Sequence, residues 1–225
     1  MMAAGRNRAA ECWPYLIRNL SSPIYSNIAA AAITTIGEPI LLSLETAFNR
    51  TGIDTDSQIR IVQIYGRIGG EEAETLLWKK IDNNDQKVFS QVLLSLSQMG
   101  YRAEDFQAAR IKINIEQDIE DIVWNLSALE HIPETAENEL IREALVEENK
   151  HNFEHVYMLL SMIYDPESIA IVKENVESVI TEIITFAMEL LDVFLTEDLK
   201  PKLYPILDDI SLTERIRRLD EYYPP

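Results

Sequence analysis

Several features that mark common protein classes are scarce in this sequence of 225 residues. It has one cysteine, Cys12, only seven glycines, and 20 basic residues against 38 acidic ones, so its formal net charge is −18. One cysteine cannot form an internal disulfide, and no cleavable signal sequence opens the chain, so we expect a reducing compartment. Few glycines and 47% apolar residues are typical of a folded helical protein and not of a β-rich or disordered one.

The shortage of positive charge also disfavours two kinds of partner. The negative electrostatic field of the protein repels nucleic-acid phosphates and opposes docking on an anionic membrane surface. The most apolar window, Ile28–Leu44, is interrupted by Gly37, Glu38 and Pro39, which predicts two helices and no membrane span. We therefore expect a cytoplasmic chain that binds no nucleic acid and does not insert into a membrane.

What the sequence does contain is an apolar helical stretch that recurs. Ser57–Gly70 places its apolar residues on one helical face and closes with glycines. Similar stretches end at Gly37, 32 residues before Gly69, and at Gly100, 31 residues after it. Copies at such a steady period are typical of helical-repeat proteins, in which each unit buries its apolar face against its neighbours.

Each recurring stretch is followed by a second apolar helix, so the repeat covers a helical hairpin. The apolar positions of these partner helices are Leu41, Leu44 and Phe48, then Ala73, Leu76 and Leu77, then Phe106 and Ala109. We predict an all-α fold, an α-α superhelix of stacked antiparallel hairpins with about ten to twelve helices. The chain is predicted as one domain, 1–225, with regular hairpins over 11–133, three of which form a continuous core at Asn19–Ile113, and a less regular layer over 134–225.

The second half of the chain is less periodic. Glu116–His131 and Phe153–Tyr164 are predicted as helices, and Val179–Leu195, which is apolar on more than one side, as the central helix of its layer. Between the first two of these helices, the stretch Glu134–Glu148 contains six glutamates and one basic residue, Arg142. This stretch is predicted as a solvated helix face, with an acidic docking surface for a basic partner as the alternative.

The sharpest chemical motif runs from His151 to His155. It has the H-x-x-E-H spacing of inverted zinc proteases, and the i, i+4 spacing places both imidazoles on one helical face. Zinc hydrolysis would need Glu154 as the base and a third ligand from elsewhere. The motif is short and does not stand in a protease-like sequence, so structural histidines are predicted. We assign no catalytic residue, no metal and no cofactor.

The C-terminal third contains three distinctive elements. They are Leu159-Leu160 leading to Tyr164-Asp165-Pro166, Met188–Asp192, and Leu203–Asp209 with its double aspartate. Through these elements the region Leu140–Leu219 resembles the HEAT-like segment of certain bacterial fusion proteins, and the two-helix period of the chain resembles HEAT repeats. In those proteins a membrane domain similar to nucleotide (ADP/ATP) translocases precedes the helical segment, and a cyclic-nucleotide-binding domain often follows.

This resemblance implies a non-catalytic scaffold or interaction domain, the cytoplasmic linker part of a larger membrane protein. Its partner would be another protein or a neighbouring domain of the same polypeptide. Neither neighbouring activity carries over, because no translocase span lies in these residues and the chain has no strand pattern to form the β-barrel of a cyclic-nucleotide pocket. Arg102-Ala103 matches one phosphate-binding dipeptide of that pocket by chance. The alternatives are a free-standing adaptor and a metal-dependent enzyme that uses His151, Glu154 and His155.

Overall fold

The computed structural model describes residues 10–176 and 180–224, and the regular structure of these residues is entirely helical. The prediction of an all-α fold is confirmed. The chain divides into two compact units, an N-terminal unit that ends at Tyr101 and a C-terminal unit that begins at Arg102. This division lies inside the stretch predicted as regular hairpins, so each unit is described separately.

The N-terminal unit is built from short helices. Its described α-helices are α1 (Trp13–Arg18), α2 (Ser26–Ile36), α3 (Leu41–Phe48), α4 (Thr55–Ile68), α5 (Gly70–Trp78) and α6 (Gln86–Gln98). Helix α4 packs against α2 and α6, while α3 and α5 pack against α4 and against each other. The predicted apolar faces of α3 and α5 are buried.

The ends of these helices repeat, as the period predicts. Gly37, Gly69 and Gly100 follow α2, α4 and α6, and their φ angles are +76°, +69° and +71°. These angles lie in the left-handed region, which residues with a Cβ rarely adopt. Two of the helices begin in the same way, because the carboxylates of Asp54 and Asp85 accept hydrogen bonds from the first backbone N–H groups of α4 and α6. The three aligned stretches therefore end alike, and the second and third also start alike.

Each capping aspartate also contacts the preceding hairpin. The Ser21 hydroxyl lies 2.8 Å from the Ser57 hydroxyl and reaches Asp54 Oδ2 at 3.5 Å, while Thr55 Oγ1 donates to Asp85 Oδ2 at 2.7 Å. These bonds join positions 33 and 30 residues apart. The amide of Ser57 lowers the pKa of Asp54, and the hydroxyl of Thr55 lowers that of Asp85, because both bonds favour the ionised carboxyl. We call this repeated contact the cap clasp.

A buried ion pair ties three parts of the N-terminal unit together. Lys80 Nζ lies 2.6 Å from Glu45 Oε2, donates to the Leu76 carbonyl at 3.3 Å, and stands 4.5 Å from the centre of the Phe48 ring. The Tyr65 hydroxyl donates to the same Glu45 oxygen at 2.9 Å. Burial lowers the pKa of Lys80 and raises that of Tyr65. The network links α3, α4 and the turn after α5.

Helices α4 and α6 approach each other closely at Gly66. A Cβ at this position would lie 3.0 Å from the Cβ of Ser95, a distance that real side chains avoid. The contact also includes bonds from Ser95 Oγ to the Val62 carbonyl at 3.4 Å and from Gln63 Nε2 to Gln91 Oε1 at 2.9 Å. A residue without a side chain is therefore what lets the two helices pack at this spacing.

The C-terminal unit is built around one long helical hairpin. The described helices are α7 (Asp105–His131), α8 (Glu139–Ile163), α9 (Pro166–Val176), α10 (Thr181–Phe194), α11 (Lys200–Leu207) and α12 (Leu212–Leu219). Helices α7 and α8 pack along each other and form the hairpin. Helix α9 packs on α8, α11 and α12 pack on α7, and α10 packs on α9 and α11.

The continuous α7 corrects the prediction for the third hairpin. A partner helix carrying Phe106 and Ala109 and a separate helix Glu116–His131 were expected, and they are one helix of 27 residues. No glycine or proline interrupts it, and a stripe of isoleucines that includes Ile111 and Ile115 is buried along its length. Phe106 is 74% exposed and Ala109 is also exposed, so neither belongs to the core.

Two further predictions for this unit are wrong. Residues 139–148 of the glutamate-rich stretch and the predicted helix Phe153–Tyr164 belong to one continuous helix, α8, while residues 134–138 lie in the loop before it. Helix α10 is buried on one face only, through Ile184, Ala187 and Leu191, while Phe186 and other apolar side chains are exposed. It is therefore not the central helix of its layer, and Val179, its predicted first residue, lies outside the described residues.

The apolar window near the N-terminus forms two helices, as predicted. Among the described residues, no single helix combines the length and the apolar character needed to cross a bilayer. One bent pair, Ser26–Ile36 with Glu38–Phe48, meets these criteria together, with 114° between its two segments.

Replacing Gly66 by valine should destabilise the N-terminal unit by about 1–3 kcal/mol, because the new side chain overlaps Ser95. The matched control is Ala31→Val, an exposed position of α2 where only the small cost of a β-branched residue in a helix applies. Urea unfolding followed by circular dichroism measures both variants. Equal losses in the two variants would mean that the close approach at Gly66 does not limit packing.

Candidate functional site

A line of polar side chains lies buried where α7 and α8 meet. Asp118 and Asn125 come from α7, and Asn149, Asn152 and His155 from α8; each is less than 7% exposed. Residues seven apart on one helix and three apart on the other lie on one side of each helix, so both sets lie along the contact between the two. We call these five residues the polar seam.

Two hydrogen bonds cross the polar seam. Asn125 Nδ2 donates to Asn149 Oδ1 at 2.9 Å, and His155 Nδ1 lies 3.4 Å from Asp118 Oδ1. In this antiparallel register Asn152 lies between the two bonds. Sliding one helix past the other by a turn would separate both pairs and leave their polar atoms buried without partners, so the polar seam specifies the register of the hairpin.

The polar seam is not fully satisfied. Among the described residues, Asp118 Oδ2 and both side-chain polar atoms of Asn152 are buried without a hydrogen-bond partner. A buried polar atom that lacks a partner costs about 1–3 kcal/mol of folding free energy. The middle of the α7–α8 contact is therefore less stable than an apolar contact of the same size would be.

Burial also changes the ionisation of Asp118. It raises the pKa of this carboxyl above its ordinary value, while the bond to His155 and the charge of its imidazole act in the opposite direction. The neighbouring Asp121 carboxyl also has a raised pKa, caused first by burial. An aspartate that orients a histidine is a common catalytic pairing, but here both members are buried in a helix contact, which favours a structural role.

The H-x-x-E-H motif is divided between different surroundings. His151 is exposed and its Nδ1 lies 2.8 Å from the Glu147 carbonyl, whereas His155 is 2% exposed and belongs to the polar seam. Glu154 forms a 2.6 Å ion pair with Lys173 of α9. Within the described part of the chain, no three His, Cys, Asp or Glu side chains are grouped as a metal site. The geometry gives this motif no support as a zinc centre.

The first half of α8 presents a different surface. Leu140, Ile141 and Val146 are 79%, 54% and 46% exposed. Together with the preceding loop, this half of the helix borders an open concavity of about 970 Å³. We call this concavity the acidic groove. The residues that line it include Ala136, Glu139, Leu140, Glu143, Ala144 and Glu147.

The basic residues of the acidic groove are already engaged. Arg142 donates to the carbonyls of Leu129 and Ile132 at 2.8 and 2.5 Å, and to Glu134 at 2.9 Å, so it fixes α8 to the end of α7. Lys150 pairs with Glu147 at 2.8 Å. Glu139 and Glu143 have no ion-pair partner within the described residues.

The glutamates of the acidic groove were visible in the sequence, where they were predicted as a solvated helix face with a docking surface as the alternative, and the polar seam was missed. Asparagine has a low helix propensity, so the four asparagines in these two helices are a signal that could have been used, and three of them, Asn125, Asn149 and Asn152, belong to the polar seam. The signal does not say that these residues face each other, because that depends on how the hairpin pairs.

Comparisons of the chain with protein-family models, with curated proteins and with solved structures find no match. The function proposed below therefore depends on the residues and geometry of this chain and on the resemblance of Leu140–Leu219 described above.

Replacing Asp118 by asparagine should change how stability depends on pH. In the wild type, the raised pKa means that the folded state holds this proton more tightly than the unfolded state. The stability from this group is complete below its unfolded pKa, near 4, and is lost as pH rises through the folded pKa. The Asp118→Asn variant should therefore gain stability relative to the wild type as pH rises above about 4.

Urea unfolding at a series of pH values measures this difference, with Asp56→Asn as the control at an exposed position of α4. A difference between wild type and Asp118→Asn that stays constant with pH would mean that Asp118 titrates as it does in the unfolded chain.

Two asparagines of the polar seam should respond oppositely to the same substitution. Asn152→Leu removes two unpartnered polar atoms and should stabilise the protein by about 1–3 kcal/mol. Asn149→Leu leaves Asn125 Nδ2 buried without an acceptor and should destabilise it by a similar amount. Urea unfolding of both variants provides the test. A loss of stability in Asn152→Leu would show that Asn152 makes hydrogen bonds in the folded protein.

Proposed function

We propose that this chain is a non-catalytic, HEAT-like scaffold or interaction domain, the cytoplasmic linker part of a larger membrane protein with a nucleotide-translocase-like domain. The observation that carries the scaffold role is the cap clasp. Ser21 with Asp54, and Thr55 with Asp85, repeat one contact between successive hairpins. In stacked helical repeats each hairpin is stabilised by its neighbours through contacts that recur in this way.

The packing of α4 supports the same proposal. It contacts α2 on one side and α6 on the other, and its core positions Ile61, Val62 and Ile64 are at most 1% exposed. A helix covered on both sides by the corresponding helices of the adjacent repeats is the pattern of a stack of hairpins in an α-α superhelix.

The surroundings of the H-x-x-E-H motif favour a non-catalytic role over a zinc enzyme. His155 is bonded within the polar seam and Glu154 is held by Lys173, so using either one would require breaking contacts that stabilise α8. The net charge of −18 favours a protein partner or a neighbouring domain over nucleic acid.

Cell fractionation tests the linker proposal. An antibody raised against this chain is used to blot membrane and soluble fractions of the native cells, with one marker protein for each fraction. We expect a band much larger than 25.8 kDa, the mass of this chain, in membranes that resist washing with alkaline carbonate.

A soluble band near the mass of the chain would overturn the linker proposal and leave a free-standing adaptor with the same fold. A membrane band that carbonate releases would also overturn it, because a covalently linked membrane domain cannot be washed away.

A further inference from the structure

The first half of α8 carries apolar side chains that are exposed and do not belong to the core. Leu140 is 79% exposed and Ile141 is 54% exposed, and Ala144 is also exposed. Leu140 and Ala144 are four residues apart, so they form a stripe along one face of the helix. Apolar side chains that are grouped at the surface and bordered by charge are typical of interaction sites.

The glutamates beside this stripe have the same period. Glu139, Glu143 and Glu147 repeat every four residues, which places them along one side of α8 over about 12 Å. Lys150 already pairs with Glu147, and Arg142 is occupied at the end of α7. The groove therefore combines an apolar stripe with a row of negative charge, most of which is left for a partner.

We propose that the acidic groove binds a basic amphipathic helix of a partner protein. This proposal rests on the interaction role proposed above and specifies the class of partner that the groove would bind. The occupant should carry Lys or Arg at positions i, i+4 and i+8, beside apolar residues that cover Leu140 and Ala144. Charge complementarity selects this occupant, because a second copy of the chain, at a net charge of −18, would be repelled.

The shape of the groove also suits a helix. Its volume of about 970 Å³ is bordered by the exposed first half of α8 and the loop before it, and it is open to solvent. A helix that binds along such a surface contacts it through side chains three or four residues apart, and the glutamates have a spacing of four. The row of charge therefore sets the register of the partner, and the apolar stripe supplies the area that is buried.

A synthetic peptide tests the proposal directly. The probe is an 18-residue helix of Leu, Ala and Lys with lysines at i, i+4 and i+8, labelled with a fluorophore and titrated with the full chain. A scrambled peptide of the same composition, which spreads lysine and leucine around the helix, is the control. We expect the amphipathic peptide to bind at least about tenfold more tightly.

A matched pair of triple variants locates the site. Replacing Glu139, Glu143 and Glu147 by glutamine should weaken binding about tenfold, since three partly exposed ion pairs are lost. The control replaces three exposed glutamates of the N-terminal unit, as E38Q/E71Q/E72Q, with the same change of net charge. This control should change binding by less than about twofold.

Three outcomes would overturn the proposal: equal binding of the two peptides, equal weakening by the two triple variants, or no binding at all. Substituting Leu140→Ser should weaken binding without changing its dependence on salt, which separates the apolar contribution from the electrostatic one. Failure here leaves the linker proposal standing, because cell fractionation does not depend on this groove.

Discussion

The contact between α7 and α8 is the interaction on which the C-terminal unit depends. Helix α9 packs on α8, and α11 and α12 pack on α7, so the register of the long hairpin decides where these three helices lie. Apolar packing alone specifies this register poorly, because isoleucines one turn apart are interchangeable. The hydrogen bond between Asn125 and Asn149, in contrast, forms in one register only. A shift of one turn would leave both amides buried without partners.

The two units treat buried polar groups differently. In the N-terminal unit, Lys80 has the Glu45 carboxylate, a carbonyl and an aromatic face around it, and these contacts offset part of the cost of its burial. In the C-terminal unit, Asn152 and one oxygen of Asp118 have no hydrogen-bond partner among the described residues. A network whose polar groups are paired rigidifies its surroundings, whereas an incompletely satisfied one lowers the free energy needed to open them. The unpartnered atoms of the polar seam therefore make the α7–α8 contact easier to open than a fully paired contact would be.

Local features of the fold could be predicted from the sequence, and features of pairing could not. The glycine stops depend on the backbone of a few residues, and Gly37 and Gly69 lie at helix ends as expected. The predicted end of a helix near Ile113 was wrong. That prediction extended the repeat period into a stretch that contains no helix-breaking residue, so the helix continues. The polar seam joins residues 24 and 37 positions apart, and only the pairing of two long helices brings them together.

The same difference explains why the glutamates of the acidic groove could be read from the sequence and the arrangement of apolar side chains beside them could not. Glutamates in the first turn of a helix interact favourably with its dipole, which accounts for Glu139. The dipole does not reach Glu143 or Glu147, which lie further along the helix, and it does not explain why Leu140 is exposed among them. A purely solvated face would need no leucine, and a purely apolar contact would need no glutamates. Their combination on one helical face is the property that a basic amphipathic partner would match.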